Sequence, residues 1–120
     1  VGLCSIQFVI EGDGGVYPCD FYVLDRWRMG TIGEDHFDQM LKSAAAQTFV
    51  DGSMHIPAAC RDCRFVPICR NGCRRDRVAG QDGIIGKNYY CGAYQRFFHE
   101  REHALDEAIR LIASMRQKLR

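Results

Sequence analysis

Hydrophobic and polar positions change rhythm along this chain, and each rhythm predicts a different element. Residues 5–10, Ser-Ile-Gln-Phe-Val-Ile, and residues 16–24, Val-Tyr-Pro-Cys-Asp-Phe-Tyr-Val-Leu, are rich in β-branched and aromatic side chains. They flank Glu11-Gly12-Asp13-Gly14-Gly15, so the pattern predicts a β-hairpin. Pro18 has no N–H to give a ladder, which places the second strand at an edge or interrupts it there. Cys19 and Asp20 are then expected in irregular backbone that can aim side chains at a ligand. Phe37, Met40, Leu41 and Ala44 recur at three- and four-residue steps and predict a short amphipathic helix over 36–47, capped by Glu34 or Asp35. Between Asp51 and Cys91 the periodicity lapses among Pro57, Pro67, repeated glycines and closely grouped cysteines. From Tyr94 to Leu119 it returns: Phe97, Phe98, Leu105, Ala108, Ile109, Ile112 and Met115 form one stripe, read as the packing face of a C-terminal helix. The expected fold is a small α+β domain, a β-hairpin plus helices around an irregular, cysteine-rich segment organised by metal.

A chain of 120 residues has room for one domain with a modest core. Lys plus Arg number 16 against 15 Asp plus Glu, so overall charge gives no reason to expect a nucleic acid or an anionic membrane as partner. No apolar run approaches the ~20 residues of a bilayer span, and the start lacks a signal pattern, so a soluble, cytoplasmic protein without a membrane partner is expected. The chain begins without Met and enters a strand-like pattern at once, as a piece of a longer protein would.

Seven cysteines change the picture. The odd count leaves one thiol outside any closed disulfide set, and tight C-x-x-C spacing without a secretory signal points to metal or redox chemistry. Cys60, Cys63, Cys69 and Cys73 fall within fourteen residues, with Gly72 just before the last. Soft, deprotonated sulfur selects zinc, copper(I) or iron–sulfur centres, and no cluster of hard oxygen ligands suggests calcium or magnesium. With Cys4, Cys19 and Cys91 added, the ligands exceed one tetrahedral centre, and two centres is the economical reading.

The order Cys4, Gly14, Cys19, Cys60, Cys63, Cys69, Cys73, Cys91 resembles the seven-cysteine signature of the SPASM domain, which follows a radical-SAM barrel. Within that group, Val16-Tyr17-Pro18-Cys19-Asp20-Phe21-Tyr22-Val23, Cys69-Arg70-Asn71-Gly72-Cys73-Arg74 and Asn88-Tyr89-Tyr90-Cys91 are similar to anaerobic sulfatase-maturating enzymes. Gly30-Thr31-Ile32 stands where that subgroup usually has Gly-Asn-Ile, and Asn71 replaces a second glycine. The resemblance implies two auxiliary [4Fe–4S] clusters. Cys4, Cys19 and Cys73 would hold the first, completed by a cysteine upstream of Val1, and Cys60, Cys63, Cys69 and Cys91 the second. It implies a domain over 1–98 with 99–120 as its closing helix, and a radical-SAM barrel outside this chain as its partner. The parent enzyme would oxidise a Ser or Cys of a sulfatase, or of another peptide substrate, to formylglycine. Its clusters would serve electron transfer and closure of the substrate site, and Asp20 would match the general base. This chain lacks the C-x-x-x-C-x-x-C triad that anchors SAM, so SAM belongs to the full-length enzyme and the fragment is not expected to be catalytic by itself.

The alternative is a zinc-bound structural or nucleic-acid-binding module, and zinc can also replace clusters in protein made in a foreign host. Arg61, Arg64, Arg70, Arg74, Arg75 and Arg77 make the cysteine region basic, which reads as compensation of anionic thiolate centres rather than as a phosphate-binding surface. His36, His55, His99 and His103 show no finger-like spacing to the cysteines, and Trp27 reads as core.

Overall fold

In the computed structural model, which describes residues 2–79 and 85–118, small antiparallel sheets combine with short helices as an α+β fold. The chain forms two compact units, Val1–Tyr89 and Tyr90–Arg120. The expected helix end at Leu119 and positions 80–84 of the cysteine-rich segment lie outside the described residues.

The hairpin is present but short. Strands β1 (Val9–Ile10) and β2 (Gly15–Tyr17) pair antiparallel, Val9 opposite Tyr17. Strand β1 cannot extend toward residue 5 because Phe8 takes φ 53°, which breaks the ladder. Beyond Tyr17 the chain reaches buried Pro18, and only its carbonyl continues the pairing, accepting Gln7 N–H at 2.9 Å. A third strand, β3 (Gly30–Thr31), pairs with β2 and was not evident in the sequence, where two residues carry no periodicity.

The helix expected over 36–47 is two helices, α1 (Phe37–Leu41) and α2 (Ala44–Met54). Ser43 causes the break, its hydroxyl accepting Ala46 N–H at 3.2 Å as an N-cap. His36, not Glu34 or Asp35, precedes α1, and its N–H donates to Gln39 Oε1. Asp35 instead accepts Thr31 N–H at 2.9 Å and ties the helix entrance to β3. Val16, Met29, Met40 and Ala46 make the small core, with Ile6, Phe8 and Ala45 against it. Beside it, Tyr22, Trp27 and Phe49 meet edge to face, with centroids 5.0 to 5.8 Å apart.

The cysteine-rich segment is built from single turns: α3 (Ala58–Arg61), α4 (Val66–Cys69) and a 3-10 turn over Arg74–Asp76. Between Cys69 and Cys73 the backbone is left-handed at three successive residues, Arg70 (φ 47°), Asn71 (65°) and Gly72 (60°). Asn tolerates that region better than other side chains, which explains how Asn71 can stand in the middle of this left-handed run. Strands β4 (Arg77–Ala79) and β5 (Ile85–Asn88) pair antiparallel with an irregularity between Arg77 and Ala79. The second unit holds α5 (Cys91–Glu100) and α6 (Glu102–Lys118), interrupted at Arg101. Ile109, Ile112 and Met115 of the expected packing stripe are more than half exposed.

Candidate metal centre

Cys4, Cys19 and Cys73 line one cavity of about 290 Å³, together with Asp20, Phe21, Phe49 and Arg74. Each cysteine arrives by a different device. Cys19 and Cys73 both precede 3-10 turns in extended backbone, where their carbonyls accept Tyr22 N–H (2.9 Å) and Asp76 N–H (3.1 Å). Each side chain is thereby set at the open N-terminal end of a turn. Cys4 is held by its own N–H, which donates at 2.9 Å to the hydroxyl of Ser53, a residue with no exposed surface. That hydroxyl in turn donates to Val50 O at 2.6 Å near the end of α2.

Behind this cavity stands Arg77. Its guanidinium donates to Ser53 O and Gly2 O at 2.7 Å, to Gly72 O at 3.1 Å, to Asn71 O at 3.2 Å and to Arg70 O at 3.3 Å. One side chain thus joins the N-terminal segment, the end of α2 and the left-handed turn. Burial lowers its pKa, while Cys4 and Cys73 act in the opposite sense. Gly2 is required where it stands: φ is 90°, and a Cβ there would collide with the backbone of Arg70.

Burial pushes the Cys19 thiol above its ordinary value, and its hydrogen bond to Asp20 and the charges of Asp20 and Cys4 add to this. The Cys19 thiol donates to Asp20 Oδ1 at 3.2 Å. The Tyr22 hydroxyl is also raised, first by burial and then by Cys4, Cys73 and Cys19, against the lowering pull of Arg74. All three cysteines therefore lie within electrostatic reach of Tyr22.

The other four cysteines are arranged differently. Cys63 N–H donates to Cys60 O at 3.2 Å and Cys69 N–H to Phe65 O at 2.8 Å, so the three stand on successive tight turns. Cys60 is buried, its sulfur 3.9 Å from Asn71 Oδ1. The Asn71 side chain also accepts Asn88 N–H (2.8 Å) and donates to Gly86 O (3.0 Å), stitching the turn to β5. Cys91 opens α5 and belongs to the second unit.

None of the seven cysteines forms a disulfide. Among the described residues no three Cys, His, Asp or Glu side chains stand close enough to share a single ion. A four-iron cluster makes a different demand, since each thiolate caps its own iron and the sulfurs sit at the corners of a larger body. Three sulfur donors around one cavity, with Arg74 in its wall and Arg77 near Cys4 and Cys73, fit such a group. Ser53 had no functional signal in the sequence, Asn71 only its place in a glycine slot, and Arg77 only its place among the arginines of the cysteine region.

The sequence profile of the SPASM family, described as an iron–sulfur cluster-binding domain, matches residues 4–64. A cysteine-type anaerobic sulfatase-maturating enzyme of Clostridium perfringens is 41% identical over 97 residues, covering 81% of this chain and 26% of that protein. A serine-type anaerobic sulfatase-maturating enzyme of Bacteroides thetaiotaomicron is 31% identical over 99 residues, covering 79% and 23%. The solved structure of native anSMEcpe with bound AdoMet and Cp18Cys peptide superposes with a TM-score of 0.84 at 38% identity, covering 89% of this chain and 30% of that one. The chain spans about a quarter of the length of the curated relatives it matches. No helix among the described residues is long and apolar enough to cross a membrane.

Proposed function

This chain belongs to the SPASM family of iron–sulfur cluster-binding domains, and from that premise we propose that it is the auxiliary cluster-bearing part of a radical-SAM sulfatase-maturating enzyme. The observation that carries the reading is the cavity shared by Cys4, Cys19, Cys73 and Asp20, which sets metal donors beside a carboxylate. Cys4, Cys19 and Cys73, with a fourth ligand from outside residues 1–120, would hold one [4Fe–4S] cluster. Cys60, Cys63, Cys69 and Cys91 would hold the other, so that the two-cluster body runs over 1–98 and includes the first turns of α5. When bound, such a cluster supplies a one-electron acceptor close to the substrate.

Asp20 is the candidate base. Conversion of a Ser side chain to the aldehyde removes a hydrogen atom, a proton and an electron, and the proton needs an acceptor near the reacting carbon. A Cys19 thiol donates to Asp20 Oδ1, whereas a Cys19 thiolate bound to metal has no proton to donate. Ligation therefore leaves that oxygen available to substrate. Exposed Asp20 and Phe21 border the cavity where a peptide side chain would enter. A reducing cytoplasm suits seven reduced thiols.

Iron and sulfide analysis of anaerobically purified full-length protein tests the ligand sets. Cys19→Ser and Cys60→Ser are each expected to lose the iron of one cluster, and Asp20→Asn to keep all iron while formylglycine formation falls at least a hundredfold. Colourless zinc protein from an anaerobic host, or full activity in Asp20→Asn, would defeat the corresponding part of the reading.

A further inference from the structure

The wall of the cavity shared by Cys4, Cys19 and Cys73 contains a fixed positive charge, Arg74. Its guanidinium carbon lies over the rings of Tyr22, Trp27 and Phe49 at 5.4, 4.9 and 5.1 Å, and Nη1 donates to Phe49 O. Gly52 leaves room for the same group, since a Cβ there would lie 2.8 Å from Nη2. The residue is 8% exposed, its side chain pairs with no carboxylate among the described residues, and its buried Nε–H finds no acceptor among them. Aromatic faces stabilise such a cation but do not neutralise it. A buried charge and a buried donor both call for an anionic acceptor.

We propose that Arg74 is the built-in counter-charge of this site, its Nε–H donating to a sulfur of the anionic thiolate–metal group held by Cys4, Cys19 and Cys73. The inference rests on the reading of those cysteines as cluster ligands. Because the aromatic rings hold the guanidinium in place, it needs no rearrangement to act. One-electron reduction adds a negative charge to the bound group, so a fixed cation in the wall raises its reduction potential.

The test uses protein reconstituted anaerobically with iron and sulfide, the signal of this site being the one lost in Cys19→Ser. Arg74→Gln is expected to shift the reduction equilibrium about tenfold toward the oxidised state, a fall of about 59 mV for a one-electron couple. Arg74→Lys, which keeps the charge, is expected to recover at least half of that fall. Equal potentials in the wild type and both variants overturn the proposal. A second measurement needs no variant to fold: with arginine labelled in nitrogen-15, pulsed EPR of the reduced wild-type site is expected to show coupling to an arginine nitrogen, and its absence overturns the proposal. A wild-type protein that binds no iron at these cysteines fails differently, removing the ligand reading and this inference with it.

Discussion

Replacing Arg77 by Lys keeps the charge and removes the geometry that uses it. The planar guanidinium reaches five backbone carbonyls on three chain segments, three of them at 2.7 to 3.1 Å. An ammonium has three donors on one atom and cannot span Gly2, Ser53 and Gly72 together. A hydrogen bond to a charged group contributes about 1.5–3 kcal/mol, and a buried carbonyl left without a donor costs about as much as a bond gained. Losing two of the three short bonds, with water recovering part at the exposed Arg70 side, gives a destabilisation of about 3 kcal/mol. On a urea slope of about 1.5 kcal/mol per M, the unfolding midpoint falls by about 2 M. Trp27 is 9% exposed and packed against Tyr22 and Phe49, so its fluorescence reports the transition. Wild type and Arg77→Lys would be compared at equal iron content. A midpoint within about 0.3 M of wild type, the scale of an ordinary surface substitution, would refute the idea that Arg77 latches these segments.

Gly52→Ala sets helix propensity against packing: Ala favours the interior of α2 by about 1 kcal/mol, but its Cβ would meet Arg74 Nη2 at 2.8 Å, on a guanidinium already held by three rings and Phe49 O. Overpacking costs about 1–3 kcal/mol, so the melting temperature is expected to fall, and a rise would contradict this packing. Asp13 accepts Gly15 N–H and pairs with Arg28 at 3.0 Å, and the Gly15 bond, with the Arg28 charge behind it, holds its carboxyl below the ordinary 3.8. A depressed folded-state value means that the contribution is whole above 3.8 and lost as pH falls through the lowered value. The stability gap between wild type and Asp13→Asn should therefore hold at neutral pH and close in acid, and a gap that widens in acid would reverse the assignment. Chelating the metal should speed amide hydrogen exchange across 57–70 before the core around Val16, Met40 and Ala46, because α3 and α4 are single turns with little burial. Uniform exchange in both regions would show that metal does not organise the segment.

The family and the hairpin were legible because each leaves a mark in the residue order itself: the spacing of the cysteines and a glycine-rich reversal between two apolar runs. The Ser43 break was not, since Phe37, Met40, Leu41 and Ala44 keep helical spacing straight through it while the decisive event is one hydroxyl accepting Ala46 N–H. Arg74 and Arg77 were legible as cations near thiolates but not as buried residues. Charged side chains are rarely buried, and their partners here are ring faces and backbone carbonyls, which leave no mark in the sequence. The exposure of Ile109, Ile112 and Met115 was equally hidden, because periodicity identifies an apolar face without saying what covers it.

The walls of the cysteine cavity come from residues 2–5, 7, 19–21, 49 and 73–74, so they are spread along most of the first unit. During synthesis, Cys4 and Cys19 leave the ribosome long before Cys73, and the donor that secures Gly2 lies 75 residues downstream of it. Nascent chain can form the hairpin and α2 while these early thiols still have no enclosure. On the ligand reading proposed above, a metal group would find its full enclosure here only after the last wall emerges, and until then the two early sulfurs would stand open to oxidation or to capture by another metal.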